Sequence, residues 1–304
     1  MKCGKAAGVD NVTVDEISAA GTAGIDTVYK LFKKIWEKEE IPKDWSRAII
    51  VPIFKKKDKT VCDNYRGISL LCHAEKLFAS IILQRIRKRT DEILTESQAG
   101  FRKSRSTIDQ LFSLRQLAEK YAEFSKHLYV CYVDYQKAFD SVWRDGLWHV
   151  MHHLGYEKKI IRLLQALYNE TFSAARIDAE LSDWFRTVVG VLQGCVLSPL
   201  LFCIFLEVVM ARALESDDIG AIVSGTRINN LKFADDIGLL AESPTDLQFL
   251  VNSTEEESKR FGLTVSTAKT EVQCIPPDER SMLTCINGVP LKQTTDFVYL
   301  GGKI

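Results

Sequence analysis

Leu231-Lys232-Phe233-Ala234-Asp235-Asp236-Ile237-Gly238-Leu239-Leu240 sets two adjacent aspartates in the middle of an apolar run. Two strand-prone halves meeting at a pair of acids suit a tight β-hairpin whose tip carries both carboxylates. Adjacent like charges repel, and burying such a pair raises at least one pKa unless a cation neutralises it. Far upstream, Cys131-Tyr132-Val133-Asp134-Tyr135 places a third acid on an apolar, β-prone stretch. Three carboxylates gathered from two strands form an oxygen-rich cage of the kind that holds Mg²⁺ for phosphoryl chemistry. For the pair taken alone, a solvated turn is the competing reading, because Asp is common in turns.

The composition sets outer bounds. With 304 residues, 46% of them hydrophobic, the chain can bury a sizeable core in one large or two intimate domains. No apolar run reaches the ~18–20 residues of a membrane span. The longest, around Leu200–Met210, is interrupted by Glu207. The N-terminus lacks the continuous apolar core of a signal peptide, and no targeting signal is evident. Eight cysteines are scattered without a CxxC, which points to neither a zinc knuckle nor a disulfide framework and fits a reducing, intracellular setting. The net charge of zero hides an asymmetry. Residues 1–125 carry 23 Lys/Arg against 17 Asp/Glu, a net of +6, and residues 126–304 carry 17 against 23, a net of −6. A basic front suits a polyanion and an acidic back suits metal ions, although two independently solvated surfaces would show the same counts.

Periodicity predicts helices over residues 13–40, where Val28, Leu31, Phe32, Ile35 and Trp36 share a stripe, and over Ala74–Leu94. Ala48–Phe54 reads as a strand entering the basic loop Lys55-Lys56-Lys57. Ser106 or Thr107 can cap a helix running to about Phe124. A strand is expected at 128–134, one helical stretch at 146–169, and short strands at 176–189. Ser198 is a plausible cap, with Pro199 in the first turn, for a helix reaching Leu214. After the hairpin, Pro244–Phe261 reads as helix. The class is α+β, with the acids on an antiparallel sheet backed by helices.

In chain order the features are the basic loop, Asn64-Tyr65-Arg66-Gly67, Gln98-Ala99-Gly100-Phe101-Arg102, Asp134 with Phe139-Asp140, Gln193-Gly194 with Ser198-Pro199, and Phe233-Ala234-Asp235-Asp236. This collinear set resembles the reverse transcriptase family, most closely the non-LTR, LINE-type retrotransposon polymerases. The resemblance implies a right-hand polymerase core with fingers over about 1–125 and palm over about 126–304. It further implies RNA-directed DNA synthesis on an RNA template from a DNA or RNA primer, using dNTPs and two Mg²⁺ ions, for which Mn²⁺ can substitute.

Site residues follow from the same resemblance. Asp134, Asp235 and Asp236 are the expected metal acids, with the backbone carbonyl of Tyr135 adding a ligand. Phe139 resembles the aromatic gate against a 2′-hydroxyl, and an ordinary core Phe is the plainer alternative. Lys56, or its neighbours Lys55 or Lys57, and Arg66 resemble the cationic pair on the triphosphate. Gln193-Gly194 resembles the turn against nucleotide and template. Arg102 and Arg105 are expected at template phosphates, Lys269 at the leaving pyrophosphate, and Phe297–Gly302 as the primer-grip hairpin. Two departures stand out. Gly67 occupies a position where the family usually has proline, which should loosen the fingers strand, and Leu192 replaces a frequent basic residue. The chain stops soon after the primer grip, where the family continues into a thumb, so a truncated piece is expected. A non-catalytic nucleic-acid-binding relic and a group II intron-type reverse transcriptase are the rival readings. Work on genomic DNA would place the protein in the nucleus.

Overall fold

A computed structural model describes residues 1–55, 58–178, 180–215, 218–278 and 284–304. The helices are α1 (Val14–Ala19), α2 (Gly21–Lys38), α3 (His73–Ile93), α4 (Thr107–Glu123), α5 (Arg144–His153), α6 (Lys158–Tyr168), α7 (Ser198–Ala213) and α8 (Pro244–Arg260). The longer strands are β1 (Arg47–Phe54), β2 (Tyr65–Leu70), β3 (Leu128–Val133) and β4 (Phe172–Ile177). Short strands follow as β5 (Glu180–Leu181), β6 (Phe185–Arg186), β7 (Ala221–Val223) and β8 (Thr226–Ile228). Then come β9 (Asn230–Phe233), β10 (Asp236–Ala241), β11 (Glu271–Ile275), β12 (Cys285–Ile286), β13 (Val289–Pro290), β14 (Lys292–Gln293), β15 (Val298–Tyr299) and β16 (Gly302–Lys303).

Packing divides the chain into two interleaved units, Met1–Thr90 with Arg144–Leu201 and Asp91–Trp143 with Phe202–Ile304. A single boundary near residue 125 is therefore not how the chain packs, because each unit borrows a segment from the other half of the sequence.

In the first unit, β1 pairs antiparallel with β2 from Ile49↔Leu70 to Phe54↔Tyr65, and β4 joins β1 in parallel. Phe32 of α2, Trp45 and Phe78 of α3 form an aromatic cluster with ring centroids 5.4–6.4 Å apart. Gly67 lies opposite Pro52 within an unbroken ladder. The expected loosening is not seen: a Cβ there would meet Ile50 Cγ2 at 2.8 Å, so the missing side chain makes room for the partner strand. The stretch expected as helical at 146–169 forms two helices, α5 and α6. Gly155, at φ +75, turns the chain between them.

In the second unit the sheet order is β14-β11-β3-β10-β9. Leu128, Val130 and Tyr132 of β3 pack with Leu114, Leu117 and Tyr121 of α4. Alternation sends the intervening residues to the other face, where the Tyr135 hydroxyl bonds Ser258 Oγ of α8 at 2.7 Å. α4 starts where expected: the Asp109 carboxylate accepts from the Ser106 N–H at 2.6 Å. Ser198, by contrast, is not a cap. It is the first residue of α7, and its hydroxyl donates to the Leu192 carbonyl at 2.7 Å.

Candidate active site

The acids are delivered by strand pairing in the second unit. β3 and β10 run antiparallel with Ile237 opposite Val133, so the next pair in register is Asp236 and Asp134. Side chains directly opposed across such a pair lie about 4.5–5.5 Å apart at Cβ. β9 and β10 close through the two-residue turn Ala234-Asp235, because Phe233 pairs with Asp236. The tip therefore carries Asp235 alone, and Asp236 opens the following strand. Ala234 has φ +58. That value at the first central position of a two-residue turn normally calls for glycine.

The electrostatics match this crowding. Burial raises Asp236 to about 6, reinforced by the negative charges of Asp235 and Asp134. Lys269 Nζ lies 3.3 Å from Asp134 Oδ1. The Asp134 N–H donates to Thr270 Oγ1 at 3.2 Å, and its carbonyl accepts from the Ser266 N–H at 2.7 Å. Tyr135 bridges Val265, with the ladder bonds made by its neighbours Asp134 and Gln136. Its own carbonyl is thereby turned away from that segment.

The acids are right in kind and in register for a divalent cation, and their mutual repulsion is what a cation would relieve. Their side chains are not closed into a cage. Among the described residues, no three of His, Cys, Asp and Glu are grouped tightly enough to hold a metal ion.

The other expected residues are distributed as follows. Phe139 lies in a short 3₁₀ turn at Ala138–Ser141 and stacks on Phe202 with centroids 4.9 Å apart and planes at 25°. Arg102 departs from expectation. Its guanidinium donates to the carbonyls of Thr95 (2.8 Å), Gln98 (3.2 Å) and Asp91 (3.2 Å), and its side chain is only 9% exposed. It clasps its own loop and has little left to offer a template. Arg105 pairs with Glu96. Phe297 stacks on Tyr132 at 3.9 Å in the β15–β16 hairpin, which turns at Leu300-Gly301. In the first unit, Arg66 is exposed on β2 opposite Ile53. The Gln193 carbonyl accepts from the Ser69 N–H at 2.7 Å. Gly194 has φ +113, and a Cβ there would lie 2.7 Å from Ser69 O. The close approach that demands glycine is thus to β2. Lys56 lies outside the described residues.

Buried polar groups escaped the sequence reading. Glu207 Oε2 and Lys232 Nζ pair at 3.1 Å with side chains 6% and 3% exposed, and Glu207 Oε1 accepts from the Thr95 N–H. The available signal was a charge inside an apolar run at both positions. Arg144, in the first unit, is buried with no carboxylate paired to it among the described residues. It donates to the carbonyls of Gly190, Tyr168 and Thr187 at 2.8–2.9 Å, fixing the approach to Gln193.

The mixed α+β architecture, with its antiparallel-rich sheets, is consistent with the fingers and palm core of a template-directed nucleotide polymerase. Residues 54–304 match the family described as reverse transcriptase (RNA-dependent DNA polymerase), and the chain belongs to that family. It is 29% identical over 310 residues to a probable RNA-directed DNA polymerase from transposon BS of Drosophila melanogaster, covering 98% of this chain and 33% of that protein. It is 27% identical to the RNA-directed DNA polymerase from mobile element jockey of Drosophila funebris, covering 89% of this chain and 30% of that one. The chain therefore spans about a third of the length of these relatives. Among solved structures, apo telomerase from Candida tropicalis, truncated from its C-terminal domain, superposes with a TM-score of 0.61 at 12% identity. That match covers 91% of this chain and 58% of the telomerase chain, and it bears on the fold alone.

Proposed function

We propose that this chain is the polymerising module of a non-LTR retrotransposon reverse transcriptase, adding dNTPs to a primer 3′-hydroxyl on an RNA template. The observation that carries the reading is the register placing Asp134 beside Asp236 with Asp235 in the adjoining turn. Asp134, Asp235 and Asp236, with the Tyr135 carbonyl, would hold Mg²⁺ or Mn²⁺. When bound, two such ions supply charge neutralisation at the reacting phosphate and activate the attacking hydroxyl. Lys269, beside Asp134, would give a proton to departing pyrophosphate. Phe139, braced by Phe202, would present its ring to the sugar and exclude a 2′-hydroxyl by sterics. Arg66, with Lys56, would take the triphosphate. Gln193 and Gly194 would line the nucleotide, and exposed Arg105 would meet template phosphate. The fingers role falls to the β1–β2 ribbon and the palm role to the β3, β9–β10 sheet. Insertion into genomic DNA would make the nucleus its workplace.

Primer extension on an RNA template tests the reading. Asp134→Asn or Asp235→Asn should lower the rate at least ~10²–10³-fold, the scale of one preorganised electrostatic contact. Primer–template binding should be retained. Wild-type rates in either variant would remove the acids from catalysis. A wild-type chain that binds primer–template and never extends it would favour the non-catalytic relic.

A further inference from the structure

The segment Gln98-Ala99-Gly100 is built against the turn that carries Asp235, within one unit of the fold. Gln98 is fully buried, and its side-chain oxygen accepts two backbone bonds: Gly100 N–H at 2.8 Å and Ala234 N–H at 2.9 Å. Flanking backbone bonds lock the two segments together, with Ala99 N–H to Lys232 O at 2.9 Å and Lys232 N–H to Ser97 O at 2.8 Å. Gly100 closes the approach. A Cβ there would lie 2.4 Å from Ala234 N and 3.0 Å from Phe233 C, so any other residue would push the turn away. Ala234 itself is buried beside Leu94 and Cys203.

Two features show that the contact serves the turn. Ala234 holds φ +58, a conformation alanine adopts only when its surroundings impose it. In a two-residue hairpin the ladder bonds join the strand residues on either side of the turn, so the Ala234 N–H must find its acceptor elsewhere. Gln98 Oε1 is that acceptor. The Gln98 Nε2 group is buried with no hydrogen-bond partner among the described residues. The side chain is therefore placed for its oxygen, at the expense of its nitrogen. Arg102, clasping the carbonyls of Thr95 and Gln98, holds the loop from behind.

We infer that Gln98 is a positioning residue whose side-chain oxygen holds the strained Ala234-Asp235 turn, so that Asp235 is aimed by the Gln98–Arg102 loop. The loop is the seat of the hairpin acid. This rests on the catalytic reading of Asp235, and the test keeps the two separable. Gln98→Met preserves length and removes the strong acceptor, whereas Gln98→Glu preserves an acceptor oxygen in the same place. Amide hydrogen exchange, read residue by residue by NMR without metal or nucleotide, should show Ala234 and Gly100 exchanging about five- to tenfold faster in Gln98→Met. The β11 amides should be unchanged, and protection should return in Gln98→Glu. In primer extension, Gln98→Met should lose about 10²-fold in kcat at unaltered KM for dNTP, the scale of a misplaced reacting group. Gln98→Glu should recover most of that loss. If Gln98→Met does not fold, Gly100→Ala displaces Ala234 while keeping the amide and should give the same two changes.

Unchanged Ala234 exchange would overturn the clamp whatever the activity. Faster exchange with full kcat would overturn the positioning role. Failure of the wild-type chain to extend primers would remove the polymerase reading, and with it the aiming of a catalytic acid, while the exchange data still judged the clamp.

Discussion

At the scale of single residues, this chain places charge where hydrophobes would be expected and satisfies it locally. Lys232 sits inside a hairpin strand and Glu207 inside the most apolar helix, each nearly inaccessible, and they neutralise one another. Breaking a buried pair from one side leaves an uncompensated charge, which costs about 3–5 kcal/mol. Lys232→Met should therefore lower unfolding stability by that amount in urea titration. The double variant Lys232→Met, Glu207→Gln should return most of the loss, because the glutamine still accepts from the Thr95 N–H without carrying charge. Equal losses in the single and double variants would show that the pair contributes through shape alone. Both charges were visible as interruptions of apolar runs, but that they meet depends on α7 lying against β9.

At the scale of elements, α3 begins on an unusual cap. Cys72 precedes the helix, and Glu75 in its first turn accepts from the Cys72 N–H, reproducing half of a capping box with the acid buried to 3% exposure. One of its oxygens has no hydrogen-bond partner among the described residues. Burial pushes the Glu75 carboxyl up to about 8; Lys76 opposes the shift and Asp10 adds to it. A carboxyl whose folded pKa stands above its unfolded value binds more protons folded than unfolded between the two. Stability should therefore fall as pH rises from about 4.5 to about 8 and level off above that. Glu75→Gln keeps the bond to Cys72 and cannot ionise. It should be more stable than the parent at pH 8 by on the order of a few kcal/mol, at 1.36 kcal/mol per pKa unit, and indistinguishable near pH 4. Denaturant unfolding across that range checks it, and a difference independent of pH would assign the effect to packing. The helix was legible from its stripe of apolar residues. The burial of Glu75 was not, because a glutamate in a first turn is usually a solvated helix-dipole partner.

At the scale of the whole molecule, the charge asymmetry sets how nucleic acid should be held. The excess of six positive charges lies in residues 1–125, and the remainder carries the compensating acids. Binding dominated by phosphate contacts weakens steeply with salt. Roughly four such contacts would cost about 10²-fold in affinity between 50 and 200 mM salt. Fluorescence anisotropy with an RNA–DNA primer–template should show that dependence, and Arg66→Ala should shallow the log–log slope by about one. A flat response would move binding off the basic segment. Among the described residues no helix is long and apolar enough to cross a membrane.

The linear pattern alone determined the α+β class and most strand and helix positions, and it singled out three acids as candidates, since periodicity and short motifs are local properties of a chain. It also carried the family resemblance, which the match over residues 54–304 bears out. Only the tertiary structure decided that Asp235 alone occupies the turn, that Gly194 accommodates β2, and that 146–169 breaks at Gly155. It likewise decided that Arg102 turns inward and that Gln98 reaches the Ala234 amide across more than a hundred residues of chain. The physical reason is common to all of these. Each depends on which backbone group lies within about 3 Å of a given atom, and that distance is set by strand register and helix packing between segments remote in sequence.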